Sequence, residues 1–424
     1  MSHSVLFAED SNSFSSMPSV SMLVIAILLL GFIPGVGVGI FYANSLALGL
    51  IAYCVIFLFY WVRFLPSLQF LPRSICISIS VVILYSVIQV IYLKAGSVKS
   101  LLSVPVIMFI ATSACISAIA FNKMKDDDLS QAILVVFKIL TLVALLNIIY
   151  AINFLNYTHN QPMVPFTEAS HFAHYFGPIA IMTFLVQKTL TKRILVGGVV
   201  LGIALAIPSL TLMVYAVLIF ILAIKLRLTY LLFSGLSILL ILYTALTTPY
   251  FLDRIIISDT NENISALVYL QGVYDAYYSL EASNYLGLGF QLLGTQPPSE
   301  LSLTIERYAG TELNREDGSF LAAKILAEFG ILGAIFIIYY LKISFQAVIF
   351  LRKQILLINH RRNLKHQLVA AIIFAFSVEL FVRGTGYFSP GVFLFIFALF
   401  YYKKYIRSSF SKQNIYNDKK ELYR

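Results

Sequence analysis

Glu168, His171 and His174 recur at i, i+3 and i+6 in the run TEASHFAHYFGP, on one side of a helix start. Two imidazoles and a carboxylate invite a metal reading, but a metal site wants a closed ligand set at matched spacing. No second element supplies one, so no metal and no other cofactor is expected, and the three read as a polar rim for substrate contact. Glu379 and Arg383 stand at i, i+4 in SVELFVRGTGYFSP, acid first, the favourable order on a helix. Either they form a structural ion pair, or the acid holds Arg383 so that its guanidinium faces an anionic ligand. In DGSFLAAKILAEFGILG, Asp317 and Ser319 suit a helix start. Positions 317, 321, 324 and 328 then trace one helical face, with Lys324 about 10 Å and Glu328 about 16 Å along the axis. That pair is either a structural i, i+4 contact, with the lysine snorkelling outward, or part of a site near mid-membrane. Between 249 and 317 the basic residues are Arg254, Arg307 and Arg315, and a guanidinium is well matched to phosphate oxygens. Gly287 and Gly289 allow close backbone approach to a ligand.

The elements that must position these residues are apolar helices. The chain is 59% hydrophobic and 12% charged, where soluble globular chains run at roughly 45–50% and 25%. So few charges cannot cover a water-facing exterior, and the expected fold class is an all-α integral membrane protein. Runs near 20–41, 43–62, 74–93, 101–121, 132–154, 172–187, 193–208, 209–224, 228–248, 318–345, 367–382 and 389–402 approach the length that crosses a bilayer. About twelve transmembrane helices are therefore expected, with one large periplasmic loop, 249–317, before the tenth. The corresponding division is a cytoplasmic segment 1–19, a bundle 20–248 of about nine spans, the loop, a bundle 318–402 of about three spans, and a basic tail 403–424.

Charge sets the orientation. Placing both termini inside puts twenty-one Lys and Arg in cytoplasmic segments and three (Lys94, Lys99 and Arg383) in the short outer loops, the asymmetry of the positive-inside rule. The net charge of +10 is thus dispersed in small clusters between apolar runs. No single basic face tracks phosphates, so nucleic acid is excluded as a partner and membrane lipids are expected as one. Cys54, Cys76 and Cys115 lie inside apolar runs and read as small core hydrophobes. The first nineteen residues lack Lys and Arg, so the first apolar run is expected to stay as a helix rather than serve as a cleaved signal.

Four stretches carry a family resemblance: NISALVYLQGVYDAYYSLEASNYLGLGFQLLG, DGSFLAAKILAEFGILGA, TEASHFAHYFGP and FVRGTGYFSP. Together they resemble the O-antigen polymerases of Gram-negative bacteria (the Wzy family), which share a broad fold with O-antigen ligases. The resemblance implies a multi-pass glycosyltransferase of the bacterial inner membrane. Such an enzyme transfers a growing glycan from undecaprenyl diphosphate to a new lipid-linked repeat unit at the periplasmic face. Its partners would be the lipid-linked donor and acceptor, with a chain-length regulator and a flippase in the same pathway. The related ligases carry a His at the start of the helix after the large loop, where this chain has Asp317. For a metal-independent, inverting transfer, the leaving diphosphate calls for arginines, with Arg254 and Arg383 first and Arg315 next. Lys324, Glu379, Gly287 and Gly289 complete the expected substrate-binding set. The general base is expected among Asp317, Glu168 and His171. The alternatives are an O-antigen ligase and a lipid-linked oligosaccharide flippase or other transporter.

Overall fold

The computed structural model describes residues 19–41, 45–61, 73–93, 98–154, 163–223, 228–256, 263–356 and 363–406. The expected N-terminal segment and most of the basic tail lie outside them. The described residues are mostly helical, without a strand among them. In chain order the helices are α1 Val20–Gly39, α2 Leu46–Trp61, α3 Arg73–Leu93, α4 Val98–Lys123, α5 Asp126–Phe154, α6 Ala169–Val186, α7 Leu190–Ala206, α8 Leu210–Ala223 and α9 Leu228–Thr247. They continue with α10 Pro249–Ile255, α11 Ile264–Ala282, α12 Glu300–Ala309, α13 Leu321–Leu356, α14 Leu364–Phe381 and α15 Pro390–Tyr401, which runs on into a π turn. Within the described residues each of the twelve apolar runs forms a helix. Among the described residues five helices are long and apolar enough to cross a membrane, or six if α9 and α10, bent by 91°, form one broken span.

Helix ends follow local chemistry. Asn263, Ser299, Asn363 and Ser389 each accept a hydrogen bond from a first-turn amide of α11, α12, α14 and α15, removing one orphan donor apiece. Pro390 sits in the first turn of α15, where its missing N–H costs nothing.

The core is built around α6 and α14. Phe172, Phe176, Ile179 and Phe184 of α6 are fully enclosed, and Phe172, Phe176 and Phe137 form a continuous stack. Small residues let helices close on one another: Gly177 lies against the ring of Tyr215, Gly31 against Tyr175, and Gly49 against Pro34. This is how helices pack where apolar surroundings supply no hydrophobic drive. The outer surface is apolar as well, with Leu84, Leu145, Leu239, Ile335 and Phe345 exposed on α3, α5, α9 and α13. A water-facing monomer does not carry such continuous apolar surface; the chain is a helical protein of multi-pass, membrane-inserting character.

Two expectations about α13 are corrected. The helix begins at Leu321, so Asp317 and Ser319 lie in the turn before it rather than at its cap. It then breaks at Gly330 (φ 54°, ψ −130°). The freed carbonyls of Ala327 and Glu328 accept from Leu288 and Gly289, and Ile331 donates to Tyr285. Gln89 of α3 adds a bond to the Glu328 carbonyl at 3.1 Å. Lys324 and Glu328 therefore belong to a short half-helix under the 283–293 segment, and the 26 residues from Ile331 onward span about 39 Å on their own.

Candidate functional site

The short helix α10 turns across the end of α9 and carries Arg254 four residues after Tyr250, so the guanidinium lies over the Tyr250 ring at 4.0 Å. Tyr250 is fixed in turn by donating to the Pro208 carbonyl at 2.8 Å. Arg383 follows the end of α14 and reaches Glu168, the residue before α6, at 3.2 Å. Arg254, Arg383 and Glu168 face one cleft of about 550 Å³, floored by Tyr250 and Tyr269. Tyr269 stacks on Phe320 at 4.6 Å and donates to the Phe381 carbonyl at 3.2 Å. Among the described residues the Arg254 Nε finds no acceptor. A buried, unsatisfied donor on a fixed cation costs free energy unless a ligand fills it.

Glu168 sets the charge of the rim. Burial raises its carboxyl, but Arg383, His171 and Ser170 together outweigh that and hold it down at about 2. The carboxylate is thus ionised at any physiological pH, although 43% of its side-chain surface faces the open cleft. The contact places Glu168 where it can orient Arg383. His171 lies 3.5 Å from Glu168, with its Nδ1 against the Thr167 hydroxyl. Asp317 is half exposed, 3.8 Å from the Lys324 ammonium, and close enough to His171 to influence its charge. A Cβ at Gly386 would meet the Asp317 carboxylate at 2.7 Å, so a glycine there leaves room for that side chain. The three carboxylate and imidazole candidates and two of the three arginines converge on one side of the fold.

The remaining expected residues do other things. The i, i+4 pairing of Glu379 with Arg383 is replaced by the Glu168–Arg383 contact, because α14 ends at Phe381 and Arg383 lies past it. Glu379 points inward, bonded to the Ser389 hydroxyl, and shares a cavity of about 20 Å³ with His171 and His174. Lys324 does not snorkel: its side chain is 1% exposed, 3.7 Å from Glu328, donating to Gln291 and to the Glu316 carbonyl. Glu328, fully enclosed, accepts from the amides of Gln291 and Leu293 at 3.0 and 3.3 Å. This pair fastens the 289–293 segment to α13. Gly287 makes its close backbone approach to Glu328 and Gly330, and Gly289 donates to Glu328; both glycines pack on α13. Arg315 faces a second cleft, where it donates to Glu312 at 2.9 Å and to the Gln296 carbonyl.

Tyr250 and Tyr269 escaped the sequence reading, although the i, i+4 spacing of Tyr250 and Arg254 was a usable signal. No group of three or more His, Cys, Asp or Glu able to hold a metal occurs among the described residues. No family model, curated protein or solved structure matches this chain.

Proposed function

We propose that this protein is an O-antigen polymerase: a membrane glycosyltransferase that moves a growing polysaccharide from undecaprenyl diphosphate onto a new lipid-linked repeat unit. The observation that carries the reading is the pairing of Arg254 and Arg383 in one aromatic-floored cleft, with an unfilled guanidinium donor. Two guanidiniums hold a diphosphate bidentately and stabilise the charge that builds on it as it leaves. The acceptor hydroxyl attacks the anomeric carbon of the donor, and the bond from that carbon to the diphosphate oxygen breaks. The hydroxyl proton passes to Asp317, with His171 the second choice, and the configuration inverts. Glu168 keeps Arg383 aimed. No step calls for a metal or cofactor.

In this reading the twelve apolar helices all span the bacterial inner membrane, both termini are cytoplasmic, and 249–317 is a periplasmic loop. The lipid-linked donor and acceptor meet the protein at the periplasmic face, and a chain-length regulator and a flippase act in the same pathway. A reporter that is active only outside the cytoplasm, inserted between 295 and 299, should give signal, while one fused after Arg352 should be silent; the reverse pattern would refute the orientation. Transport is the weaker reading because the broken helix of α13 spends its freed carbonyls on loop amides, whereas transporters expose such breaks to a substrate cavity. Deleting the gene should leave lipid A core carrying a single repeat unit. Core carrying none would indicate a ligase, and repeats trapped in the cytoplasm a flippase.

A further inference from the structure

A second and larger cleft, about 640 Å³, opens between α11, α12 and the 293–299 segment. Its walls combine Tyr274 and Tyr278, four residues apart on one face of α11, with Asp275, Gln296, Glu300 and Arg315. The two rings lie 6.2 Å apart and are 37% and 55% exposed. The mixture is informative. Flat aromatic faces with polar tips offer large contact area at low entropic cost, and carboxylates and an amide accept and donate to hydroxyls.

The charges narrow the ligand further. Asp275 and Glu300 set two carboxylates against Arg315, whose guanidinium is already donating to Glu312 and the Gln296 carbonyl. Phosphate or an anionic lipid surface would meet repulsion here, and a purely apolar segment would strand the carboxylates. A neutral, hydroxyl-rich ligand with apolar ring faces satisfies both sets of groups.

Position completes the case. The same helix lines both clefts: Ser265 and Tyr269 face the arginine cleft, Tyr274 and Tyr278 the second. Tyr269 and Tyr278 are about 14 Å apart along the axis. We infer that the α11–α12 cleft is a carbohydrate subsite that grips sugars of the growing chain remote from the diphosphate. This rests on the polymerase reading for the identity of the glycan. Holding the chain there between additions keeps it from diffusing away and so favours a further addition over release.

The test uses the full-length protein in detergent and two probes: lipid-free O-chains released from the host's lipopolysaccharide by mild acid, and inorganic pyrophosphate. Tyr274→Ala with Tyr278→Ala should weaken O-chain binding at least about tenfold, the loss of two stacked rings, and leave pyrophosphate binding unchanged. Tyr274→Phe with Tyr278→Phe keeps the rings and should stay within about threefold of the parent. Should the alanine pair not fold, Glu300→Gln on the exposed first turn of α12 is expected to cost about threefold through its hydroxyl contacts. In cells the alanine pair should give shorter lipopolysaccharide ladders at normal protein level. O-chain binding that survives the alanine pair unchanged, or that the parent protein lacks, overturns the subsite. Failure of the parent to bind pyrophosphate counts against the arginine cleft alone and leaves the subsite standing.

Discussion

Arg383→Gln is expected to abolish lipopolysaccharide ladders while the protein accumulates normally. Removing a donor aimed at developing charge typically costs a factor of about 10²–10³ in turnover, and a chain of many additions magnifies a loss at each. The structure also dictates the control. The partner of Arg383 is Glu168 at 3.2 Å, so a purely structural role predicts that Glu168→Gln with Arg383→Gln restores activity, since neither charge is then left unpaired. The diphosphate role predicts that the double variant stays inactive. Arg254→Lys and Arg383→Lys should also polymerise poorly, because an ammonium keeps the charge and loses the two-pronged geometry. Ladders normalised to membrane protein level decide it. Full-length ladders from the double neutral variant would remove Arg383 from the active site.

Lys324→Met should damage the fold. It leaves the enclosed Glu328 carboxylate with backbone amides and no cation, and breaking a buried pair from one side costs about 3–5 kcal/mol. The 289–293 segment is held to α13 through that carboxylate, so the loss should appear as early heat aggregation in detergent and rapid proteolysis between Gly294 and Ser299. Adding Glu328→Gln to the same chain removes the stranded charge and should restore most of the stability. A single variant as heat-resistant as the parent would show that the ion pair contributes nothing. A double variant less stable than Lys324→Met would show that the charge of Glu328 was not the liability.

Much of the architecture is legible in the sequence because apolar runs and their breaks are local properties. Each run is a helix, and the i, i+4 spacing of Lys324 and Glu328 does bring them together. The same spacing misled at Glu379 and Arg383, since the rule holds only while the helix continues and α14 stops at Phe381. The true partner of Arg383 is 215 residues away in sequence, and no periodicity reports such a contact. Gly287 and Gly289 correctly signal a close backbone approach, but its object, the broken turn at Gly330, is a tertiary fact. Continuous hydrophobicity across Gly330 hid the break that sets Lys324 and Glu328 apart on a short half-helix. The convergence of Glu168, His171, Asp317 and Arg383 was visible only as four costly residues at the same ends of different runs. The second cleft left a fainter trace, the tyrosine spacing of α11, because a cavity is made by the elements that surround it.

The arginine cleft is proposed to join lipid-linked repeats to one another. The most direct measurement reconstitutes the purified protein in vesicles with undecaprenyl-diphosphate-linked single repeats as the sole glycan, and follows the mass of the lipid-linked products. The account predicts a ladder of whole-repeat multiples on undecaprenyl diphosphate, with one undecaprenyl diphosphate released per link formed, and none of either from the Arg254→Lys, Arg383→Lys chain. Repeats that remain single, and are joined only to lipid A core when it is supplied or merely cross the bilayer, would contradict it.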